Sequence, residues 1–255
     1  MTDSPTPAST RSPKGKSSEK TTSRKSRAPK SAREESILAN ALELFRNQGY
    51  QKTSMTQIAR AAGMDQSSLY YHFPSKEHLL NRLFDFKAIT REFESIAQLV
   101  MSNTQRLYLT IVYDVVAKCD LPFDFFEFES VASDNPEAFA DLFELYKTVY
   151  QGLLDSVTNG ISSKEFSECN PAERTVTILS INEGLQHHYH AKLRGQLILE
   201  SAGYQTRNLS PEEIGHLSAT LVLSRICLDQ PDFEALRKSS ISFLSNVEHL
   251  WSPAN

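Results

Sequence analysis

Apolar residues recur with the spacing of an α-helix along most of the chain. In the first such stretch Ile37, Ala41, Leu44 and Phe45 form one stripe, and Gly49 then ends the helix. From about residue 85 onward, long amphipathic stretches follow one another, and four of them are predicted to begin with a cap followed by Pro, at Asn135-Pro136, Asn170-Pro171, Ser210-Pro211 and Gln230-Pro231. No alternation of apolar and polar residues bounded by a hairpin turn marks a β-strand. The pattern predicts an all-α protein.

Between residues 54 and 72 the periodic segments become short. Ser54 and Gln57 have the spacing of a capping box, which predicts the start of a short helix that Gly63 ends. Asp65 can cap a third helix that runs from Gln66 to about His72. Two short helices joined by a tight turn after a longer supporting helix form a helix-turn-helix, whose second helix enters the major groove of DNA.

The third predicted helix has a composition that core packing does not explain. Its sequence, QSSLYYH, carries hydroxyl, amide and phenol groups around one large aliphatic side chain, Leu69. Such polar groups are suited to phosphates and base edges, so we interpret one face of this helix as a DNA-binding face. Pro74 and Ser75 then end the helix and start a longer one that continues through Phe84.

Charge is distributed unevenly along the chain, whose formal net charge is −4. Residues 1–33 hold nine Lys and Arg against two acidic residues, whereas residues 81–255 hold fourteen against twenty-four. An acidic body repels phosphates, so DNA contacts are expected within the first 80 residues. Residues 1–33 are rich in Ser, Thr, Pro and basic residues, which predicts a disordered tail. This tail is either solubilising or a basic arm that attracts phosphates or enters a minor groove.

Composition and motifs exclude several classes of protein. No apolar run is long enough to span a membrane, and the N-terminus has no apolar signal segment, so we expect a cytoplasmic protein without a membrane partner. Cys119, Cys169 and Cys227 are widely spaced, which argues against a disulfide framework or a zinc site. Phosphate-binding, nucleophile and metalloprotease motifs do not occur. We therefore expect neither an enzyme nor a bound metal or cofactor.

Residues 37–80, ILANALELFRNQGYQKTSMTQIARAAGMDQSSLYYHFPSKEHLL, resemble the DNA-binding domain of TetR-type transcriptional regulators. The specific parts are LFRNQGY at the end of the first helix, TSMTQIARAAG for the second, and SSLYYHFPSKEHLL for the recognition helix and the helix that follows. The resemblance implies a DNA-binding domain at 34–80 and a helical effector-binding and dimerisation domain at 81–255. It also implies a homodimer that binds a palindromic operator in double-stranded DNA.

Roles for individual side chains follow from the same resemblance. The predicted recognition helix contains no Arg or Lys, so it offers no bidentate contact to guanine. Gln66 is then the side chain best suited to hydrogen-bond a base directly, with a preference for adenine. DNA shape or the basic tail would then supply more of the specificity. The residues implied to contact phosphates are Thr53, Ser54, Thr56, Tyr70, His72 and Lys76, and those implied to face bases or nearby backbone are Gln66, Ser67, Ser68 and Tyr71.

Two segments of the C-terminal domain are candidates for an effector pocket. Residues 120–150 interleave acids with aromatic residues that form either ordinary core or the wall of a pocket, and residues 181–193 place polar groups one turn apart. Glu183 and His187 could share a metal, but no third ligand is identifiable, so we predict no metal site. The pocket candidates are Phe125, Phe143, Tyr146, Asn182, Gln186 and His187. Leu217, Leu221, Ser224 and Leu228 form a stripe suited to a dimer interface.

The sequence thus predicts an all-α, homodimeric regulator, a repressor that an unknown small-molecule effector releases from its operator. The alternatives are a DNA-binding activator, a regulator that needs no effector, and an adaptor whose acidic body binds a protein. An effector-independent regulator would lack a ligand-sized pocket, and an adaptor would expose an apolar patch of several hundred Å².

Overall fold

A computed structural model describes residues 30–245 of the chain and confirms the predicted fold class. Within this range the protein contains twelve helices and no strand, and only Phe166 and Cys227 form an isolated β-bridge. No helix in the described range has the length and apolar character needed to cross a membrane. The helices are α1 (Lys30–Gln48), α2 (Met55–Ala61), α3 (Gln66–His72), α4 (Lys76–Leu83), α5 (Phe86–Gln98), α6 (Asn103–Asp120), α7 (Phe125–Asp134), α8 (Ala140–Ser162), α9 (Pro171–Leu193), α10 (Ile198–Ser201), α11 (Pro211–Ile226) and α12 (Phe233–Leu244).

Helices α1, α2 and α3 form the predicted helix-turn-helix around a small apolar core. Ile37, Phe45, Ile58 and Leu69 are all fully buried, so each helix contributes its apolar stripe to the same centre. Helix α1 begins earlier than predicted, at Lys30, so the last four residues of the expected disordered tail are helical. Residues 1–29 of that tail lie outside the described residues.

The connection from this unit to the rest of the chain is two short helices instead of one long one. Helix α4 ends at Leu83, and Phe84 adopts an extended conformation that the predicted helix would not allow. Asp85 accepts a hydrogen bond from the N–H of Ala88 and thereby caps α5. Phe84 and Phe86 are both buried at this junction, and their ring centres lie 5.9 Å apart.

Helix α6 is the centre of the larger C-terminal part, where it packs against α8, α9 and α11. Most of its residues are buried, including the charged residues Asp114 and Lys118. Charged side chains are rarely buried unless they are paired, so Asp114 and Lys118 mark a polar site within an otherwise apolar core.

Two of the four predicted Pro-containing helix starts are confirmed and two are wrong. Asn170 and Ser210 cap α9 and α11, with Pro in the first turn of each. Pro136 instead lies in a turn before α8, which starts at Ala140. Asp232, one residue after Pro231, caps α12.

Candidate nucleic-acid interface and effector cavity

The start of α2 presents exposed polar groups held by the predicted capping box. The Ser54 hydroxyl accepts from the N–H of Gln57 at 3.2 Å, and the Ser54 N–H donates to Gln57 Oε1 at 2.8 Å. Met55 and Ile58 face the core, so Ser54 and Thr56 are left on the outside of the helix. Ser54 and Thr56 are therefore accessible to a phosphate, and their contact with DNA stays a prediction.

Asp65 organises the first turn of α3. Its carboxylate accepts from the Ser68 N–H at 2.8 Å and from the hydroxyls of both Ser67 and Ser68. These bonds, first of all that from Ser67, lower the pKa of Asp65 well below its usual range. Because both hydroxyl protons are used, the two serines keep their oxygen lone pairs for donors such as base amino groups.

The outer face of α3 combines an amide with two phenols. Leu69 is fully buried and holds the helix in place, whereas Tyr70 is 43% exposed and Tyr71 is 78% exposed. Gln66 is exposed in the first turn of the same helix. Gln66 and Tyr71 are therefore both accessible from solvent on α3, and their contact with DNA stays a prediction.

The structure corrects the prediction for Thr53. This residue is only 1% exposed, because its hydroxyl donates to the carbonyl of Gly49 at 2.8 Å and accepts from Gln48 Nε2 at 3.0 Å. The side chain therefore closes the loop between α1 and α2 and does not reach a phosphate.

His72 and Lys76, two of the residues implied to contact phosphates, contact the protein. One ring nitrogen of His72 lies 3.4 Å from the Glu34 carboxylate of α1. Lys76 Nζ donates to the carbonyls of Tyr50 at 2.8 Å and Thr53 at 3.0 Å, and it lies 4.0 Å from the centre of the Tyr50 ring. Burial lowers the pKa of Lys76. In this conformation Lys76 joins α4 to the α1–α2 loop.

A small cavity lies between α5, α6, α7 and α8. Its volume is about 40 Å³, room for one or two water molecules. Its walls are mainly apolar and include five aromatic rings, among them those of the pocket candidates Phe125 and Tyr146, and Asp114 and Lys118 supply the charged groups. The Phe125 and Tyr146 rings stack with centres 6.0 Å apart and planes 8° apart.

A buried polar cluster, defined as Asp114, Lys118, Tyr146, Asn182 and Glu183, adjoins this cavity. Lys118 Nζ lies 3.1 Å from Asp114 Oδ2 and 3.5 Å from Glu183 Oε1, which also accepts from the Tyr146 hydroxyl at 2.9 Å. Asn182 donates to Asp114 Oδ2 at 2.8 Å. Burial raises the pKa of Glu183.

Sequence reasoning missed Asp114 and Lys118, although a signal was present. The two residues lie four apart within the otherwise apolar run LYLTIVYDVVAKC, where a solvated charge pair is out of place. Gln186, which was predicted, is fully buried one turn after Asn182 and accepts from the Phe125 N–H at 3.2 Å.

Four of the six predicted pocket residues, Phe143, Asn182, Gln186 and His187, do not line the cavity. Phe143 packs against the core without lining the cavity. The His187 side chain is 54% exposed and pairs with Asp124, while Glu183 faces Lys118. The two potential metal ligands thus point to different partners, and among residues 30–245 no three His, Cys, Asp or Glu side chains form a metal-binding group.

Helix α7 connects the cavity to the helix-turn-helix. Phe125 lines the cavity, and two residues later the Glu127 carboxylate accepts from the Gln51 N–H at 2.8 Å. Glu127 also lies 3.6 Å from Arg194 at the end of α9. The fully buried Phe123, just before α7, packs with its ring centre 6.0 Å from that of Tyr50.

The capped α2 and the exposed polar face of α3 define a helix-turn-helix DNA-binding protein. Residues 37–83 match the sequence profile of "Bacterial regulatory proteins, tetR family". The match covers residues 37–80, the segment in which the sequence resembles the DNA-binding domain of TetR-type regulators.

Relatives and solved structures agree with this assignment. The HTH-type transcriptional regulator RutR of Escherichia coli (strain K12) is 39% identical over 87 residues, which are 31% of this chain and 41% of RutR. The aligned segment thus spans less than half of that relative.

Two solved structures resemble a larger part of the chain. PfmR, a TetR family transcriptional regulator from Thermus thermophilus, has a TM-score of 0.57 and 21% identity over 76% of this chain and 99% of PfmR. AibR, solved in complex with isovaleryl coenzyme A and operator DNA, has a TM-score of 0.54 and 18% identity over 76% of this chain and 99% of AibR. At these identities the likeness shows a common fold.

Proposed function

We propose that the protein is an effector-responsive transcriptional regulator, a repressor that binds a palindromic operator as a homodimer. The observation that carries the proposal is the outer face of α3, where Gln66 and the 78% exposed Tyr71 stand on a helix anchored by the buried Leu69. AibR, which shares the fold, was solved with operator DNA and a small molecule.

The homodimer is proposed to form through α9 and α11. Each exposes apolar side chains that a second copy would bury: Val176 of α9 is 54% exposed, and Leu217 and Leu221 of α11 are 39% and 49% exposed. Leu217 and Leu221 belong to the stripe that the sequence indicated for an interface. A two-fold axis through this surface would relate the two α3 helices as a palindromic operator requires.

Effector binding is proposed to act through α7. The cavity of about 40 Å³ is far smaller than the roughly 300–1,000 Å³ of a typical ligand site, as an effector-independent regulator would also show. Effector binding at this cavity therefore requires a second conformation in which its walls have separated. Movement of Phe125 would displace Glu127 from the α1–α2 loop. This route supplements movement of α4, which Lys76 joins to the same loop. The ligand must favour the state that cannot bind DNA, or the equilibrium would not shift.

The first test is selection from a library of random-sequence DNA duplexes with the purified full-length protein. Gln66→Ala and Tyr71→Ala variants are run in parallel, because both side chains are exposed and their loss leaves the core intact. Tyr204→Ala removes a 67% exposed tyrosine from the other part of the chain and is the matched control.

The wild type and Tyr204→Ala are expected to enrich one palindromic motif, and the two α3 variants are expected to lose it. Absence of an enriched sequence with the wild type would overturn the assignment. Equal enrichment of the same motif by the α3 variants would show that α3 is not the reading element.

A further inference from the structure

The buried polar cluster has more negative than positive charge. Asp114, Lys118 and Glu183 are all buried residues, so two carboxylates share one ammonium group within the core. Glu129 adds to this negative field, because its charge also helps to raise the pKa of Glu183. Buried charge without a counter-charge is costly, so the cluster is left one positive charge short.

Hydrogen bonding in the cluster leaves acceptors available. The bonds from Lys118, Asn182 and Tyr146 go to Asp114 Oδ2 and Glu183 Oε1. Among the described residues, neither Asp114 Oδ1 nor Glu183 Oε2 receives a hydrogen bond. A group that fits here must therefore donate hydrogen bonds.

The aromatic wall is also suited to a cation. Lys118 Nζ lies 4.9 Å from the centre of the Phe125 ring and 5.9 Å from that of Tyr146, within the range of cation–π attraction. Lys118 thus places an alkylammonium group against these rings. The remaining cavity wall consists of apolar side chains, including Phe86, Phe93 and Phe128.

Within the regulator proposed above, on which this ligand assignment rests, we propose that the effector is an organic amine, protonated at neutral pH, with an apolar body. Its ammonium group donates to Asp114 Oδ1 and Glu183 Oε2 beside the Phe125 and Tyr146 rings, and its apolar body enlarges the cavity between α5, α7 and α8. An anionic ligand of the same size is excluded, because it would add a like charge to a buried, negatively charged cluster.

The test measures binding to the free full-length protein, without DNA. The probes are three matched series of compounds with four to eight carbons, namely linear primary amines, alcohols and carboxylates, assayed by thermal unfolding and calorimetry at pH 7. Amines are expected to raise the unfolding temperature and to bind at least about tenfold more tightly than alcohols of equal length, the smallest effect typical of a desolvated charge pair. Carboxylates are expected to give no shift.

Two variants locate the binding site. Glu183→Gln keeps the shape and the acceptor for Tyr146 but removes one charge, so the preference for amines over alcohols is expected to fall about tenfold. Glu144→Gln, on the exposed face of α8, is the control and keeps the full preference. In Lys118→Ala, which lacks the native ammonium, n-propylamine is expected to restore part of the lost thermal stability and 1-propanol is not.

Any of three results overturns the assignment: carboxylates or alcohols that bind as well as amines, amines that do not bind, or a preference for amines that is undiminished in Glu183→Gln. These outcomes are distinct from failure of the regulator proposal, because the assay contains no DNA. If the protein bound amines but selected no DNA sequence, the proposed amine site would stand and the proposed regulatory function would be rejected.

Discussion

The carboxylate of Glu127 lies 2.8 Å from the backbone nitrogen of Gln51, across 76 positions of sequence. This hydrogen bond joins α7, whose first residue lines the cavity, to the loop that precedes the DNA-binding helices. Gly49, in the same loop, passes so close that a Cβ atom there would lie 2.9 Å from both Glu127 oxygens. Such a tight contact is suited to transmit a displacement, because closely packed groups cannot absorb it.

Replacing Glu127 by alanine is expected to loosen the α1–α2 loop. The Gln51 N–H loses a charged acceptor, a change that typically costs about 1.5–3 kcal/mol. Hydrogen exchange of the Gln51 amide should become faster than in the wild type, and the free energy of unfolding should fall. Glu137→Ala, an exposed change just after α7, should leave both unchanged. An unaltered exchange rate at Gln51 in Glu127→Ala would remove α7 from the proposed route.

Replacing Gly49 by alanine is expected to destabilise the protein by about 1–3 kcal/mol, the usual cost of backbone strain. Gly49 has φ of +86°, which an L-residue rarely adopts, and its new methyl group would meet the Glu127 carboxylate. Gly152→Ala is the matched control, because a methyl group added at this position inside α8 would have nothing within 4 Å. That change should stabilise by about 0.5–1 kcal/mol. Urea unfolding of both variants measures the difference, and equal effects would contradict the packing described.

Replacing Asp65 by alanine is expected to weaken α3 and DNA binding together. The variant loses the helix cap and frees the Ser67 and Ser68 hydroxyls, so the exposed face of α3 loses its fixed geometry. Because the pKa of Asp65 is lowered in the folded protein, its contribution is complete above about pH 4 and is lost as the pH falls further.

The measurement is thermal unfolding against pH, with operator affinity determined at neutral pH. The wild-type unfolding temperature should fall more steeply below pH 4 than that of Asp65→Ala, and the two curves should converge in acid. Parallel curves would show that Asp65 does not stabilise the fold.

The helix-turn-helix was predictable because its signals are local. The capping box of Ser54 and Gln57 and the cap at Asp65 each depend on residues three positions apart, which the sequence displays directly. Thr53 shows the limit of such reasoning. Its hydroxyl could serve a phosphate as well as a carbonyl, and only the folded loop directs it to Gly49.

The polar cluster was not predictable as a unit, because its members come from three helices far apart in sequence. Asn182 lies 68 positions from Asp114, to which it donates. The aromatic candidates Phe125 and Tyr146 came from a stretch that the sequence left open between ordinary core and pocket wall. The charge pair of Asp114 and Lys118 is visible in the sequence, but its contact with Asn182 and Glu183 exists only because α6 packs against α9.

The stability of the protein is expected to depend on pH through His190, next to this cluster. His190 is 4% exposed and one ring nitrogen lies 3.4 Å from the Lys118 carbonyl, and burial lowers its pKa to about 4. The unfolded chain binds a proton near pH 6.5 while the folded protein binds it only near pH 4. Between these values the unfolded state holds more protons, so the free energy of unfolding falls as the pH decreases, by at most about 1.4 kcal/mol per pH unit.

His190→Gln should remove this part of the dependence. Urea unfolding at intervals from pH 7 to pH 4 is expected to give a shallower decline for His190→Gln than for the wild type. The control His188→Gln, which removes an imidazole from the same helix at a half-buried position, should follow the wild-type slope. Glu183 acts in the opposite direction, because its raised pKa makes the folded protein bind a proton more readily as the pH falls. Glu183 is present in both the wild type and His190→Gln, so the difference between their slopes gives the contribution of His190 alone. An unchanged slope in His190→Gln would show that His190 is not held neutral in the core.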